Sequence, residues 1–134
     1  MTAAGFDRRE LIAVFAGGAA GALVRVALDR AFAGPAAAWP WPTFAANVAG
    51  AVLLGYFVTR LGERLPPTAY RRPLLGTGFC GALTTFSALQ LELLRMLDAG
   101  RVGLAAGYAA ATLFCGFAAV HLTSVAVRTN GVRG

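Results

Sequence analysis

One twelve-residue stretch contains most of the groups in this sequence that could bind an ion. Residues 76–87 read Gly-Thr-Gly-Phe-Cys-Gly-Ala-Leu-Thr-Thr-Phe-Ser and lie within an apolar region. Glycine and β-branched threonine are weak helix formers. A helix that unwound between Gly81 and Thr84 would free backbone carbonyl oxygens, which are hard ligands suited to a small cation. In the alternative interpretation, the helix stays regular and its hydroxyl groups bond to the preceding turn.

Two further side chains in apolar segments could contact an anion. An amide within a hydrophobic segment needs a partner or an aqueous path. Asn47 therefore either bonds a neighbouring helix or presents its amino group to a passing anion. The edge of the Phe86 ring is electropositive and could solvate an anion loosely enough to release it. Taken alone, Phe86 is also typical of a core or lipid-facing position, so both interpretations stay open.

The sequence contains no recognisable catalytic machinery. It has no nucleophile–base pair, carboxylate pair or phosphate-binding loop. Its single His121 and its cysteines Cys80 and Cys115, which lack C-x-x-C spacing, do not form a zinc-site pattern. We therefore predict that the protein is not an enzyme.

The acidic residues also argue against one class of transporter. All six lie near the ends of apolar segments, at Asp7, Glu10, Asp29, Glu63, Glu92 and Asp98. A proton-coupled drug exporter of comparable size would need a carboxylate well inside a helix, because a buried carboxylate is what such proteins use as a proton relay. The distribution therefore disfavours an exporter.

The composition predicts a membrane protein. The 134 residues are 57% hydrophobic and 13% charged, against about 45–50% and about 25% in soluble domains, and the mean hydropathy is +0.64. A soluble fold of this size would expose too much apolar surface. The formal charge of +6 comes from 12 arginines, which lie at the borders of apolar segments, as snorkelling predicts. No nucleic-acid-binding motif accompanies them.

Four segments are long enough to cross a bilayer, which takes about 20 residues. We predict spans at approximately 10–32, 43–61, 73–97 and 102–127. Prolines interrupt the chain before the second span, which should begin near Thr43. Trp39 and Trp41 in this connection fit an aromatic belt at the membrane surface. Pro66-Pro67 predicts the turn between the second and third spans.

The arginines are divided unequally between the two ends of the predicted bundle. Eight lie at the end that holds the N-terminus: Arg8, Arg9, Arg60, Arg64, Arg71, Arg72, Arg128 and Arg133. The other end holds Arg25, Arg30, Arg95 and Arg101. This distribution favours a cytoplasmic N-terminus.

Small residues predict close packing between helices. Gly17 and Gly21, like Gly103 and Gly107, have the small-x-x-x-small spacing that lets helices approach closely in lipid. Such spacings arise by chance in alanine-rich sequence. They therefore predict tight packing without identifying the partner helix.

Three motifs together resemble those of the Fluc (CrcB) family of fluoride channels. Residues 17–25, Gly-Gly-Ala-Ala-Gly-Ala-Leu-Val-Arg, resemble the helix-one motif of the family, and residues 47–55 resemble its helix-two motif. Residues 78–87 resemble its helix-three motif, with Glu92 at the expected distance. The resemblance covers essentially the whole chain, and the helix-three string is its most specific part.

The resemblance implies an all-α protein of the prokaryotic plasma membrane that exports cytoplasmic fluoride passively. Four-helix subunits would pair as an antiparallel dual-topology dimer, with helix three broken near mid-membrane. A structural sodium ion (Na+), which is not transported, would bind backbone carbonyls at Gly81 and Thr84. The residues matching the fluoride pathway are Asn47, Phe86, Ser87, Tyr108 and Thr112. Arg25 and Glu92 match positions near a pore mouth. Either residue could have an architectural role there, and Arg25 could instead attract anions.

The sequence departs from the family pattern at three positions. Leu89 stands where a second phenylalanine is usual, Ala88 where threonine is common, and Gly116 where helix four often carries a hydroxyl. Because leucine lacks the positive edge of an aromatic ring, one position that solvates fluoride is expected to be missing from the pathway. Together with the arginine asymmetry, this suggests that the chain pairs with an oppositely oriented paralogue. The alternative functions are a small proton-coupled multidrug-type exporter and a non-conducting structural subunit.

Overall fold

The computed structural model describes residues 7–35, 37–64 and 70–131, and the regular structure of this part is helical throughout. The first two helices are α1 (Arg8–Ala31) and α2 (Trp41–Arg64). The third passage comprises a π-helical segment, π1 (Pro73–Cys80), the short α3 (Gly81–Leu83) and α4 (Phe86–Asp98). The last helix is α5 (Val102–Gly131).

Four stretches of the described chain are long and apolar enough to cross a membrane. Their bounds are Arg8–Ala31, Trp41–Glu63, Pro73–Asp98 and Val102–Gly131. The predicted all-α class with four spans is thereby confirmed, and the protein is a multi-pass membrane protein. Pro66, Pro67 and Arg133 lie outside the described residues.

The second helix begins two residues earlier than the sequence predicts, at Trp41 rather than near Thr43. Pro42 therefore lies inside the first turn, where its missing N–H group costs nothing because first-turn donors have no partner within the helix. The Phe44 N–H donates to the Pro40 carbonyl at 3.0 Å, which closes that first turn. Proline thus marks the start of this helix without breaking it.

The α1 helix packs mainly against π1, through glycines. Gly17 and Gly21 are buried at this contact. A Cβ atom added to Gly17 would overlap the Leu74 carbonyl oxygen, and one added to Gly21 would overlap that of Phe79. The first small-x-x-x-small pair therefore marks a backbone-to-backbone approach within the subunit.

The second small-residue pair has no such contact. Cβ atoms added to Gly103 and Gly107 on α5 would meet nothing within 4 Å. The α5 helix packs mainly against α2 instead, where Gly55 lies against Val120 and Thr123. The Gly103–Gly107 spacing therefore does not mark a helix contact within residues 7–35, 37–64 and 70–131.

The subunit buries few large apolar side chains. Its core cluster contains Leu89, Met96, Ala105 and Tyr108, which join α4 to α5. Large rings elsewhere are exposed, among them Phe15 at 79% and Phe117 at 76%. Apolar surface on this scale requires lipid or a second protein surface to cover it.

Candidate functional site

The third passage changes backbone conformation between α3 and α4. Thr84 and Thr85 are extended, with ψ values of 151° and 120°. The Thr85 hydroxyl then caps α4 by accepting the Ala88 N–H at 3.2 Å. This is the capping geometry that threonine favours at a helix start, so the local sequence both ends one helix and begins the next.

The extended residues leave two carbonyl groups without their helical donors. In a continuous helix, the Gly81 carbonyl would accept the Thr85 N–H and the Thr84 carbonyl would accept the Ala88 N–H. The Thr85 N–H instead donates to Asn47 Oδ1 at 2.8 Å, and the Ala88 N–H donates to Thr85 Oγ1. The Gly81 and Thr84 carbonyl oxygens are therefore available as hard ligands.

Asn47 on α2 holds this interruption in place. Its amide pairs with the Thr85 backbone in both directions, since Nδ2 also donates to the Thr85 carbonyl at 3.3 Å. Gly50, one turn further along α2, lies so close that an added Cβ would overlap the Thr84 methyl group. Because an amide nitrogen carries two hydrogens, the second N–H of Asn47 has no acceptor in the part of the chain that the structure describes.

Glu92 joins three helices. One carboxylate oxygen accepts the Thr43 hydroxyl of α2 at 2.6 Å, and the other accepts the Tyr108 hydroxyl of α5 at 2.7 Å. Thr43 and Tyr108 are both buried. Hydrogen bonds to a charged acceptor are among the stronger ones in proteins. This cluster of Thr43, Glu92 and Tyr108 therefore ties α4 to both neighbouring helices.

Two side chains beside the interruption point away from the subunit core. Phe86 is the first residue of α4, and 70% of its surface is exposed. Ser87 is exposed as well, with its hydroxyl oxygen 3.2 Å from that of Thr85. An aromatic ring and two hydroxyl groups thus lie together at the open surface of the subunit.

The comparisons with known proteins agree on one family. Residues 12–124 match the family described as CrcB-like protein, Camphor Resistance (CrcB). The chain belongs to the CrcB-like family. It is 60% identical over 127 residues to the protein named Fluoride-specific ion channel FluC 1 of Mycolicibacterium paratuberculosis, covering 95% of this chain and 96% of the relative.

Other CrcB-like relatives have the same kind of name. Fluoride-specific ion channel FluC 1 of Mycobacterium tuberculosis is 58% identical over 127 residues, with the same coverage of the two chains. Fluoride-specific ion channel FluC 2 of Nocardia farcinica is 36% identical over 122 residues, which are 91% of this chain and 87% of the relative. The family resemblance inferred from the motifs is confirmed.

The predicted site residues of this CrcB-like chain fall into two groups. Asn47, Thr84, Phe86 and Ser87 meet at the interruption, with Gly81 one turn before it. Tyr108 and Glu92 meet instead in the three-helix cluster. Thr112 lies one turn from Tyr108 on α5, buried, and its hydroxyl has no partner in the described part of the chain.

Arg25 is separate from both groups. Its guanidinium is half-buried and lies 3.7 Å from the Asp29 carboxylate, one turn further along α1. Its Nε has no hydrogen-bond partner among the described residues. Because both side chains of this pair are partly exposed to solvent, the pair contributes little to stability.

Thr43 is the residue that the motif analysis missed. It lies one turn before Asn47 on the same face of α2, and the same face carries Gly50. The sequence does contain a signal that could have identified Thr43, because it is a polar residue four positions before Asn47 in an apolar helix. Leu89, at the position where the sequence predicts the loss of a ring that solvates fluoride, belongs to the core cluster with Met96 and Tyr108.

Proposed function

We propose that this chain is a subunit of a fluoride-specific ion channel through which cytoplasmic fluoride leaves the cell passively. The observation that carries the proposal is its 58–60% identity, over almost its whole length, to relatives named as fluoride-specific channels. The polar groups beside Phe86 support it, because they offer an anion several weak donors and no tight site. The protein is a channel and not an enzyme.

Passive conduction is sufficient for this function. Hydrogen fluoride crosses membranes as a neutral acid and dissociates at the higher internal pH, which traps fluoride inside the cell. A fluoride-selective pore then lets the anion leave down its gradient without ATP or a coupled ion. The protein needs only to replace part of the hydration shell of the ion as it passes.

The fluoride pathway would run along the subunit surface at the interruption and along α5. The free N–H of Asn47, the Ser87 hydroxyl and the positive edge of Phe86 can each contact the anion. Further along, the pathway would continue inside the subunit past the buried hydroxyls of Tyr108 and Thr112, which lie one turn apart on α5. Buried hydroxyls without a partner are costly, so the free Thr112 hydroxyl fits a role in contacting a passing ion.

The interruption of the third passage lies near mid-membrane in this proposal. A non-helical backbone is tolerated at that depth only where protein or water satisfies it. Asn47 satisfies Thr85, which leaves the Gly81 and Thr84 carbonyls to bind a structural sodium ion. Bound sodium would neutralise part of the carbonyl dipoles beside the pathway. Two carbonyls do not complete a coordination sphere, so a second subunit would supply the remaining ligands.

The second subunit would lie in the inverted orientation. Phe86, Ser87 and Gly81 are exposed on one subunit, and a partner across this surface would enclose the pathway. The partner is either a second copy or a paralogue. Relatives with numbered names, such as FluC 1 and FluC 2, support the paralogue, as does the eight-to-four division of the arginines.

Fluoride efflux from liposomes tests the proposed function. The purified chain is reconstituted alone, and efflux is started with a potassium ionophore and followed with a fluoride electrode. We expect rapid fluoride efflux and almost no chloride efflux under identical conditions. A proton-coupled exporter would require a pH gradient, and a non-conducting structural subunit would release neither ion even when it is reconstituted with a paralogue; either result would contradict the proposal.

A further inference from the structure

A cavity of about 450 Å3 lies between the α1–α2 connection and α4. Thr43 and Glu92 of the three-helix cluster line it, and so does Trp39, whose ring centroid is 5.2 Å from that of Tyr108. Asp29 and Arg95 also line it, and Arg95 is exposed. The cavity therefore connects an exposed charged position with the polar cluster inside the subunit.

The two carboxylates that line the cavity already have partners. The Asp29 carboxylate faces the Arg25 guanidinium at 3.7 Å. Both oxygens of Glu92 accept hydrogen bonds, from Thr43 and from Tyr108. Neither acid is therefore placed as a free ligand for a cation entering the cavity.

Arg95 also contributes a charged side chain to the cavity wall, and this side chain is not paired in the same way. Within the described residues, its guanidinium forms no salt bridge and no hydrogen bond. Arg101, which belongs to the same end of the bundle, instead donates to the Ala37 carbonyl at 3.3 Å. Arg95 lies three residues after Glu92, so the two side chains occupy the same face of α4. The positive charge of Arg95 thus offsets the negative charge of Glu92 in the cavity that an ion would enter.

We propose that Arg95 draws fluoride into this cavity, which serves as a binding position between the water at this end of the bundle and the Thr43–Glu92–Tyr108 cluster. This inference rests on the proposed channel function. A guanidinium stays charged at any physiological pH, and a cavity with low-dielectric walls concentrates its field on a small anion. Because Arg95 is exposed to water, it attracts the ion without holding it tightly, as conduction requires.

The test compares three variants at low and high ionic strength, in phosphatidylcholine vesicles and in vesicles that also contain phosphatidylglycerol. Arg95→Gln removes the charge, and Arg95→Lys retains it. Arg30→Gln removes an exposed arginine at the same end of the bundle that does not line the cavity. The readout is the ratio of initial fluoride efflux rates at the two salt concentrations, which does not depend on the amount of protein incorporated.

We expect the unsubstituted chain to conduct faster at low salt, because screening weakens the attraction of Arg95 as the salt concentration rises. Arg95→Gln should conduct about three- to fivefold more slowly at low salt, as expected for one charge a few ångströms from the ion in water. Its rate should no longer depend on salt. Arg95→Lys and Arg30→Gln should behave like the unsubstituted chain.

Three results would overturn this inference while leaving the channel function intact. An unchanged salt ratio in Arg95→Gln would remove Arg95 from the pathway. An equal loss in Arg30→Gln would show a general surface-charge effect. An effect seen only in vesicles containing phosphatidylglycerol would mean that Arg95 binds a lipid headgroup. Absence of fluoride efflux by the unsubstituted chain, both alone and together with a paralogue, would instead overturn the proposed function, and this inference with it.

Discussion

Asn47 combines a structural contact with a free donor, and the structural part can be tested alone. In Asn47→Leu, a side chain of similar size leaves the Thr85 N–H without its acceptor at 2.8 Å. An unsatisfied buried donor costs about 1–3 kcal/mol. We therefore expect a lower thermal unfolding temperature in detergent, followed by intrinsic fluorescence. An unfolding temperature equal to that of the unsubstituted chain would show that the pairing with Thr85 contributes nothing.

Phe86 contributes little packing within its own subunit, so its substitution tests conduction directly. Isoleucine is also large and apolar but lacks the positive ring edge. We expect Phe86→Ile to abolish fluoride efflux from liposomes without changing the elution position in size-exclusion chromatography, so that the proposed dimer stays assembled. Phe15→Ile, at an equally exposed position on α1, serves as the control and should conduct normally. Unchanged efflux in Phe86→Ile would remove this ring from the pathway.

Thr43 and Thr112 are both buried threonines, but among the described residues only Thr43 has a hydrogen-bond partner for its hydroxyl. Thr43→Val removes the 2.6 Å hydrogen bond to Glu92, and hydrogen bonds to charged groups are worth about 1.5–3 kcal/mol. Thr112→Val removes a hydroxyl with no partner among the described residues. We expect Thr43→Val to lower the unfolding temperature and Thr112→Val to leave it unchanged or raise it.

The two valine variants, Thr43→Val and Thr112→Val, also distinguish an effect on stability from an effect on fluoride conduction. If the Thr112 hydroxyl contacts fluoride, Thr112→Val lowers efflux without any loss of stability. A fall in unfolding temperature of equal size in both valine variants would contradict the difference in hydrogen bonding. Normal efflux by Thr112→Val would place Thr112 outside the pathway.

At the scale of elements, the contact between α1 and π1 depends on missing side chains. A Cβ atom on Gly17 would overlap the Leu74 carbonyl oxygen, which is a backbone atom, so two helices must shift to accommodate it. A Cβ atom on the adjacent Gly18 would lie 3.9 Å from its nearest neighbour, in ordinary contact. Overpacking of this kind costs about 1–3 kcal/mol or more.

We therefore expect Gly17→Ala to lower the yield of monodisperse protein and its unfolding temperature, with Gly18→Ala close to the unsubstituted chain. Both measurements use the same detergent-purified material, by size-exclusion chromatography and thermal unfolding. Equal behaviour of the two alanine variants would mean that the approach of α1 to π1 is looser than the structure indicates.

Several elements follow from the sequence because their signals are local. Hydropathy locates the four spans, since each span must cover a fixed thickness of hydrocarbon with apolar side chains. The glycine- and threonine-rich string of residues 76–87 indicates where the third passage could depart from a regular helix. The start of α2 is predicted less well, because proline is compatible with both a turn and a first helical turn.

At the scale of the whole molecule, the exposed apolar surface requires lipid or a second protein surface to cover it, and in the proposed dimer a partner covers part of it. Two differently tagged copies, expressed without any paralogue, test the identity of that partner. Co-purification of the two tags together with fluoride efflux would establish a homodimer and contradict obligate pairing with a paralogue. In the heterodimer proposal, the tags do not co-purify, and efflux is recovered only when the chain is expressed with a paralogue.

The amino-acid sequence by itself determined the class of the protein. Composition, the four apolar segments and the helix-three motif identify a four-span protein of the CrcB-like family, because hydrophobicity and short motifs are properties of neighbouring residues. It also placed Asn47 and Phe86 among the candidate site residues, without deciding whether Asn47 bonds protein or ion.

Only the tertiary structure decided how distant residues combine. Asn47 and Thr85 lie 38 positions apart, and Thr43 and Glu92 lie 49 apart, so no local pattern indicates that they bond. No local pattern indicates the contact of Gly17 with Leu74 or the packing of Leu89 in the core either. The reason is physical: hydrogen bonding and close packing depend on the path of the whole chain, whereas burial in lipid depends on each segment alone.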